Sequence, residues 1–381
     1  MAGCRQRSKA DPNDCTDFGW GSIEAMKDTC MTESTRRHFL KRAAWAGATV
    51  AAQPVIAYAA QREMPVTTNN VDLRSRALSN GNGAMPELIN AASVLPRLQS
   101  LVVLEAGKPV VTEAFAIADV HTPVNIKSVS KSVLSALIGI ALERGVLSSV
   151  NQTLGELAPT LIPEKADSRV GALSVANLLS MQTGLERTSG PNYGAWIASQ
   201  DWVAYVLTRP FVAQPGGQML YSTGDWHVLG AVLSALTGQS LLALARKWLG
   251  EPLNIAFAPW TRDRQGRYLG GNEMSMSPLD LARFGQLYLD GGGDVMSRNW
   301  IEQSLTPRTR SPWSGDEYGY GWFIRDHGDR RYYYGRGYGG QFVFVLPSSN
   351  RTVVMTSDWR QPARSGTYTE ALHDLVVRYC L

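Results

Sequence analysis

A serine and a lysine stand three residues apart at the start of a strong helical pattern. Ser128 and Lys131 lie in the stretch 125–145, where apolar residues recur at helical spacing and Gly145 supplies a left-handed end. Residues three apart share one face of a helix. A serine hydroxyl becomes an effective nucleophile when a base is within hydrogen-bond reach, and burial makes lysine such a base by disfavouring its ammonium form. The spacing therefore predicts an activated serine that needs no histidine.

The serine–lysine pair is a weak signal when it is taken alone. The chain has eight lysines, and only Lys131 follows a serine by three residues. The alternative interpretation is a serine near a helix N-terminus with a surface lysine one turn further along. Stretches elsewhere in the chain are needed to separate these two interpretations.

A second candidate is Tyr221, which begins a Tyr-Ser-Thr sequence that ends at Thr223. A tyrosine can carry protons if a neighbouring ammonium lowers its pKa, and Lys131 would be that neighbour. Asp225 is predicted to cap a helix that begins near Trp226. The alternative for Tyr221 is a buried structural tyrosine ahead of that helix.

The third candidate is a glycine-rich stretch, 335–341, that opens an apolar strand. Glycines within a strand indicate a close approach to the backbone, here by a substrate. A strand edge at this point would offer an unpaired N–H group. Together with the N–H group of the nucleophile it would form an oxyanion hole, in which each donor contributes about 10²–10³ in rate. The alternative is the turn of a hairpin.

In their order and separation, these three stretches resemble the serine β-lactamase and penicillin-binding-protein-like superfamily. The resemblance is strongest to its class C-related branch, which holds esterases and 6-aminohexanoate-dimer hydrolases. It covers residues 85–381 and includes the supporting phrases at 178–185 and 276–285.

The resemblance implies a role for each candidate residue. Ser128 would be the acylated nucleophile and Lys131 its base, while Tyr221 would pass the proton to the leaving group. The backbone N–H groups of Ser128 and Tyr338 would form the oxyanion hole. The positions expected to contact the substrate are Thr223, Gly335, Arg336, Gly337 and Gly339. No cofactor and no metal are implied.

Two positions depart from the family pattern. Thr223 stands where the second motif often has asparagine, and Gly335 stands where the third motif usually has lysine or histidine. No lysine occurs after Lys247, and the side chain of the adjacent Arg336 would face the other side of an alternating strand. Since that lysine or histidine helps to hold a β-lactam or peptide carboxylate, a small ester or amide is the expected substrate.

Strand patterns cluster at the two ends of residues 84–381, and helical patterns fill the middle. We therefore expect an α+β fold, with an antiparallel sheet flanked by N- and C-terminal helices plus an inserted all-helical lobe. The predicted sheet lobe covers 84–124 and 312–381, and the helical lobe covers 125–311. The flanking helices are predicted at 85–98 and 367–379.

Residues 1–59 predict an N-terminal extension and a twin-arginine signal peptide. Arg36 and Arg37 precede an apolar stretch that ends in Ala57-Tyr58-Ala59, a small-x-small cleavage site. The mature protein is then periplasmic or secreted, its partner in transport is the twin-arginine export machinery, and 60–83 is a linker. Met1 and Met31 both remain possible start residues.

Composition excludes several other classes of function. The 381 residues include 44% hydrophobic and 18% charged residues and carry a formal net charge of +4. No basic stripe interleaved with aromatic residues is present, so nucleic acid is not an expected partner. No run of eighteen apolar residues occurs, which predicts no stable membrane anchor in the mature chain. The five histidines lack metal-ligand spacing.

Two rivals to the esterase or amide hydrolase hypothesis remain at this stage. One is a β-lactamase or D-alanyl-D-alanine carboxypeptidase of the cell envelope. The other is a non-catalytic binding or sensor protein of the envelope that kept the fold. The second rival is the weaker one, since such proteins usually lose the nucleophile or its base, and Ser128 and Lys131 are both present.

Overall fold

The central feature of the fold is one eight-stranded antiparallel sheet built from both ends of the described chain. The computed structural model describes residues 84–361 and 366–381, so the predicted signal region 1–59 and linker 60–83 lie outside them. The strands are β1 (Leu98–Glu105), β2 (Lys108–Ala114), β3 (Val124–Asn125), β4 (Ser275–Met276), β5 (Thr309–Arg310), β6 (Glu317–Tyr318), β7 (Phe323–His327), β8 (Arg330–Gly337), β9 (Gln341–Leu346) and β10 (Arg351–Ser357). The sheet order is β2-β1-β10-β9-β8-β7-β6-β5, while β3 pairs only with β4. The predicted α+β class is confirmed.

Helices fill the middle of the described chain and flank the sheet. They are α1 (Ala84–Ser93), α2 (Ser130–Glu143), α3 (Leu154–Leu157), α4 (Val175–Leu179), α5 (Tyr193–Ala198), α6 (Trp202–Leu207), α7 (Thr223–Thr237), α8 (Leu241–Ala245), α9 (Glu251–Leu253), α10 (Pro278–Leu289), α11 (Arg298–Ser304) and α12 (Gly366–Tyr379). Within residues 84–361 and 366–381, no single helix has the length and apolar character needed to cross a membrane. The helices Thr223–Thr237 and Leu241–Leu253 meet that criterion only as a pair, across a bend of 81°.

Both faces of the sheet are covered, because the central strands are apolar on both sides. All six residues of β9 are buried. Phe342 and Phe344 point to one face, where their rings contact His373 of α12. Val343 points to the other face and approaches Gly285 of α10. Because the side chains of β9 alternate between the two faces of the sheet, one helix packs on each face.

Three features of the predicted organisation are wrong in detail. Helix α10 falls in the predicted helical lobe yet packs on the sheet, since a Cβ atom at Gly285 would lie 2.5 Å from Thr352 Cγ2. That lobe is also not all-helical, because it contains β3, β4 and β5. Helix α1 ends at Ser93 rather than near residue 98, where β1 already begins. Pro96 explains the early end, since the residue before proline disfavours helical backbone.

Helix α2 runs through the centre of the molecule, and twelve of its fourteen residues are buried. The predicted helical stretch thus exists, although Lys127–Val129 form a 3₁₀ turn before the α-helix proper. Gly145 has the predicted left-handed backbone, with φ +68°. Gly139 makes room for a tryptophan, because a Cβ atom there would lie 2.1 Å from Trp300 Cδ1.

Gly139→Ala is expected to destabilise the protein by about 1–3 kcal/mol, because the added methyl group overpacks a filled core. The free energy of unfolding from urea denaturation measures this. The matched control is Gly194→Ala in α5, where an added Cβ has no atom within 4 Å. A helical glycine with free space gains stability on substitution by alanine, by about 0.4–1 kcal/mol. Equal effects at both positions would contradict the packing assigned to Trp300.

Candidate active site

Serine hydroxyl groups fix helix α2 against the segment that joins β6 to β7. Ser132 Oγ donates to the carbonyl of Gly321 at 2.7 Å, and Ser135 Oγ donates to the carbonyl of Tyr320 at 2.6 Å. Gly321 has φ +88°, and a Cβ atom there would lie 2.9 Å from Ser135 Cβ. These hydrogen bonds fix the position of helix α2 relative to the sheet. They thereby also fix the position of the residues in its first turn.

The structure brings Ser128 and Lys131 together. Ser128 is half-buried in the 3₁₀ turn, whereas the Lys131 side chain is only 2% exposed. Lys131 Nζ lies 3.1 Å from Ser128 Oγ, 3.3 Å from Thr223 Oγ1 and 2.7 Å from the carbonyl oxygen of Gly271. Ser128 is thus partly accessible to solvent, whereas Lys131 is not.

These contacts orient a neutral amine. The Gly271 carbonyl can only accept, so it takes one N–H bond of Lys131. Thr223 Oγ1 can take the second, because its own hydroxyl proton can go to Ser189 Oγ, 3.0 Å away. The lone pair of Lys131 then points at Ser128 Oγ. This is the arrangement that a general base for the serine requires.

Burial changes the ionisation of Lys131 and of the aspartate near it. Loss of hydration lowers the pKa of Lys131 from 10.5 to about 7, against an opposing effect from the negative charge of Asp225. Burial also raises the pKa of Asp225 from 3.8 to about 7, although Ser222 and Thr183 donate hydrogen bonds to it. Lys131 can therefore be neutral near physiological pH, as a base must be.

Tyr221 also lies at the site, but one prediction about it is wrong. Its ring centroid is 5.0 Å from Lys131 Nζ. Burial raises the pKa of Tyr221, and a hydrogen bond with Ser128 and the charge of Arg336 offset this only in part. Lys131 does not lower that pKa as expected, because the effect of burial dominates at Tyr221. The phenol is therefore a proton donor near neutral pH.

Tyr338, predicted as the second oxyanion donor, directly follows the end of β8. In the described part of the chain, no backbone hydrogen bond engages the N–H group of Ser128 or Tyr338. The two segments adjoin each other, because a Cβ atom at Gly337 would lie 2.4 Å from the carbonyl oxygen of Ile126 and 2.9 Å from Lys127 Cβ. The turn after β8 thus lies against the turn that carries Ser128.

The glycines of the third stretch permit close approach by the protein itself. A Cβ atom at Gly335 would lie 2.7 Å from Ser132 Oγ and 3.2 Å from Val129 Cγ1. At Gly339 it would lie 2.5 Å from Trp359 Cα. The predicted close approach exists, but on these sides its partners are helix α2 and Trp359 rather than a substrate.

Thr223 and Arg336 point toward other protein groups. The Thr223 hydroxyl lies against Lys131 and Ser189, so it orients the base. Arg336 Nη2 donates to Thr369 Oγ1 in α12 at 3.4 Å. The positive charge of Arg336 nevertheless acts on Tyr221 and offsets part of the rise in the pKa of that residue. Neither side chain is therefore placed as a direct substrate contact.

Three residues of the site were missed or misread in the sequence. Gly271 contributes only a carbonyl group, which leaves no sequence signal. Ser189 accepts the N–H of Thr223 at 2.8 Å from a distant loop. Asp225 does not cap its helix, because α7 begins at Thr223 and Asp225 is buried in the first turn. A charged residue in an otherwise apolar helix was the available signal for Asp225.

Exposed aromatic side chains occur on segments that adjoin the site. Trp313 is 59% exposed, and its ring lies 6.1 Å from that of Tyr221 in an edge-to-face arrangement. Tyr338 is 45% exposed. The guanidinium of Arg187 lies 5.1 Å from the Trp313 centroid. We call Trp313, Tyr338 and Arg187 the site mouth. Four other tryptophans are buried in the core: Trp196, Trp202, Trp226 and Trp322.

No candidate metal site is present in the part of the chain that the structure describes. Residues 84–361 and 366–381 contain no group of three His, Cys, Asp or Glu side chains that could hold an ion. His227 is fully buried between Trp196 and Trp202, with Nε2 3.2 Å from Asp263 Oδ2. It lies in the core.

Comparison with known proteins gives a family match and a curated relative. The family model described as Beta-lactamase matches residues 98–378. The 6-aminohexanoate-dimer hydrolase of Paenarthrobacter ureafaciens is 24% identical over 266 residues, a match that covers 62% of this chain and 66% of that protein. The chain therefore spans just under two thirds of that relative's length.

Solved structures share the fold. EstCE1, a hydrolase with promiscuous acyltransferase activity, superposes with a TM-score of 0.63 at 17% identity, covering 77% of this chain and 96% of that one. The octameric penicillin-binding protein homologue from Pyrococcus abyssi gives a TM-score of 0.61 at 18% identity, covering 77% and 76%. At such identities the likeness establishes the fold and nothing finer.

Labelling of Ser128 by a fluorophosphonate is expected to accelerate as pH rises through about 7, because Lys131 must lose its proton before it can act as a base. In Asp225→Asn the midpoint should move to lower pH, since the lost carboxylate is the charge that raises the pKa of Lys131. Labelling rates across a pH series measure both midpoints.

The matched control for this pH series is Asp326→Asn. Asp326 is an exposed carboxylate on β7 that pairs with Arg331 at 2.7 Å. Its substitution should leave the midpoint where it is in the wild type. A midpoint that stays fixed or moves upward in Asp225→Asn would contradict the electrostatic coupling between Asp225 and Lys131.

Proposed function

The chain belongs to the beta-lactamase family, and from this premise we propose that it is an exported serine hydrolase that cleaves a small ester or amide through an acyl-enzyme on Ser128. The observation that carries the proposal is the contact of 3.1 Å between the buried Lys131 amine and the Ser128 hydroxyl. The name of the curated relative supports an amide as one possible class of substrate.

In the proposed acylation step, Ser128 Oγ attacks the substrate carbonyl carbon and Lys131 takes the hydroxyl proton. Developing negative charge on the carbonyl oxygen is stabilised by the N–H groups of Ser128 and Tyr338. Asp225 favours the ammonium that forms on Lys131, because its charge raises the pKa of that amine. The site thus assists both charges that develop during attack.

Tyr221 completes the proposed proton path. Its high pKa keeps the phenol protonated, so it can donate to the leaving oxygen or nitrogen as that bond breaks. The phenol then regains a proton from Lys131, which returns to its neutral form. In deacylation, water takes the place of the leaving group and the same groups act in reverse order.

The site mouth favours small substrates with an apolar part over β-lactams. Exposed aromatic rings at Trp313 and Tyr338 offer flat apolar surface beside the scissile bond. The family position that often carries a lysine is Gly335, which is packed under helix α2 with no space for a side chain. The anchor for a lactam carboxylate at this position is therefore missing.

Export is the second part of the proposal and depends on the sequence of residues 1–59. The arginine pair, the apolar stretch and the small-x-small site occur in the order that a twin-arginine signal requires. Such a protein reaches the periplasm or the medium in folded form.

Ser128→Ala is expected to abolish hydrolysis of p-nitrophenyl butyrate while leaving the thermal unfolding midpoint close to wild type. Lys131→Ala should lose nearly as much activity, and the double variant little more, because residues that act as a unit are not additive. Initial rates on the mature protein test this. Turnover of the ester by Ser128→Ala at the wild-type rate would refute the assignment of the nucleophile.

Nitrocefin is expected to be a poor substrate, with kcat/KM well below that of p-nitrophenyl butyrate, because position 335 provides no cationic anchor. The two kcat/KM values measured on one preparation test the prediction. Nitrocefin turnover comparable to that of the ester, or stable labelling by a fluorescent penicillin, would instead favour a β-lactamase or D-alanyl-D-alanine carboxypeptidase.

A binding or sensor protein is the rival from another class of function. It would keep the fold without using the serine. Mass spectrometry after treatment with a fluorophosphonate separates the two, because only an activated serine forms the adduct. Absence of an adduct on Ser128 would support the binding protein.

A further inference from the structure

Lys127, the residue before the proposed nucleophile, has an unusual backbone conformation. Its φ is +49°, in the left-handed region that side chains other than glycine rarely adopt. Its side chain is also only 9% exposed. Left-handed residues persist where their surroundings hold them, and buried lysines require partners. The contacts of Lys127 therefore show what determines the backbone at Ser128.

Three side chains from three separate segments hold Lys127. Its Nζ atom lies 2.9 Å from Glu273 Oε1 and 3.6 Å from the centroid of the Trp359 ring. Its backbone N–H donates to Asn125 Oδ1 at 2.9 Å. Asn125 Nδ2 in turn donates to Glu273 Oε2 at 2.6 Å, so both carboxylate oxygens of Glu273 are engaged.

The segments that hold Lys127 also carry parts of the site. Glu273 follows Gly271, whose carbonyl accepts from Lys131, and has a left-handed backbone of its own with φ +68°. Trp359 packs against Gly339, in the turn that begins with Tyr338. One ammonium group thus connects the nucleophile turn, the loop that orients the base and the turn that bears an oxyanion donor.

We propose that Lys127 and Glu273 form a positioning pair that sets the N–H group and side-chain direction of Ser128. This inference rests on the proposed function, in which Ser128 is the nucleophile. The Lys127 ammonium is occupied by Glu273 and Trp359, so its role is to hold the turn and not to bind a substrate carboxylate. Its contribution should appear in the acylation rate and not in KM.

The test uses Lys127→Met, Glu273→Gln and the double variant in the full chain. The readouts are steady-state hydrolysis of p-nitrophenyl butyrate and the rate at which a fluorophosphonate labels Ser128. Each single variant is expected to label about 10- to 100-fold more slowly with KM nearly unchanged, since small misplacements of reacting groups have effects of this size. The double variant should be no slower than the worse single variant.

A pH series separates positioning from simple electrostatics. Lys127→Met removes a positive charge and Glu273→Gln removes a negative one, so charge effects on Lys131 would move the labelling midpoint in opposite directions. Positioning predicts instead that both variants lower the plateau and leave the midpoint unchanged. Midpoints that shift in opposite directions, with plateaus at the wild-type level, would overturn the proposal.

The control variant is Glu105→Gln, which breaks an ion pair of 2.7 Å with Arg351 between β1 and β10. It should label at the wild-type rate. Trp359→Leu keeps the ion pair and removes the ring contact, and it should label more slowly than wild type. This variant still tests the proposal if a charge variant fails to fold.

Two failures are distinguishable. Wild-type labelling rates in the folded Lys127, Glu273 or Trp359 variants would overturn the positioning role and leave Ser128 as the nucleophile. Absence of labelling at Ser128 in the unmodified protein would overturn the proposed function itself.

Discussion

The chemistry of this molecule depends on keeping water away from one amine. Lys131 sits in the first turn of a helix that is buried on nearly every side. An ammonium ion at this position loses its hydration. Its hydrogen-bond partners are three oxygen atoms, each from a different segment. The neutral amine is satisfied by the same three atoms. Because burial sets this preference, the proposed mechanism needs no histidine to activate the serine.

The rest of the fold can be understood as support for that arrangement. The sheet holds one end of α2 through the segment at Tyr320 and Gly321, and α7 brings Tyr221 and Thr223 to its first turn. Apolar faces on both sides of β9 bind the helices that keep the sheet rigid. The groups around the amine come from widely separated parts of the chain, so their geometry exists only in the folded protein.

Features of the structure could be predicted from the sequence where a local pattern determines them. Helix α10 begins where local residues favour a start, since Ser277 caps it and Pro278 occupies its first turn. The spacing of Ser128 and Lys131 likewise required only helical geometry. The carbonyl of Gly271 has no side-chain signal, and the raised pKa of Tyr221 depends on tertiary burial, so neither could be predicted. Gly335 was read as a place where substrate approaches because a glycine in a strand does not reveal which neighbour requires it.

The packing of Gly335 restricts the evolutionary routes open to this enzyme scaffold. Selection by an antibiotic would favour a basic side chain at this strand position, but the first carbon of any side chain would collide with Ser132 Oγ at 2.7 Å. The serine would have to be replaced first, which removes the hydrogen bond that fixes α2 to Gly321. A basic residue at position 335 is therefore coupled to the hydrogen bond between Ser132 and Gly321.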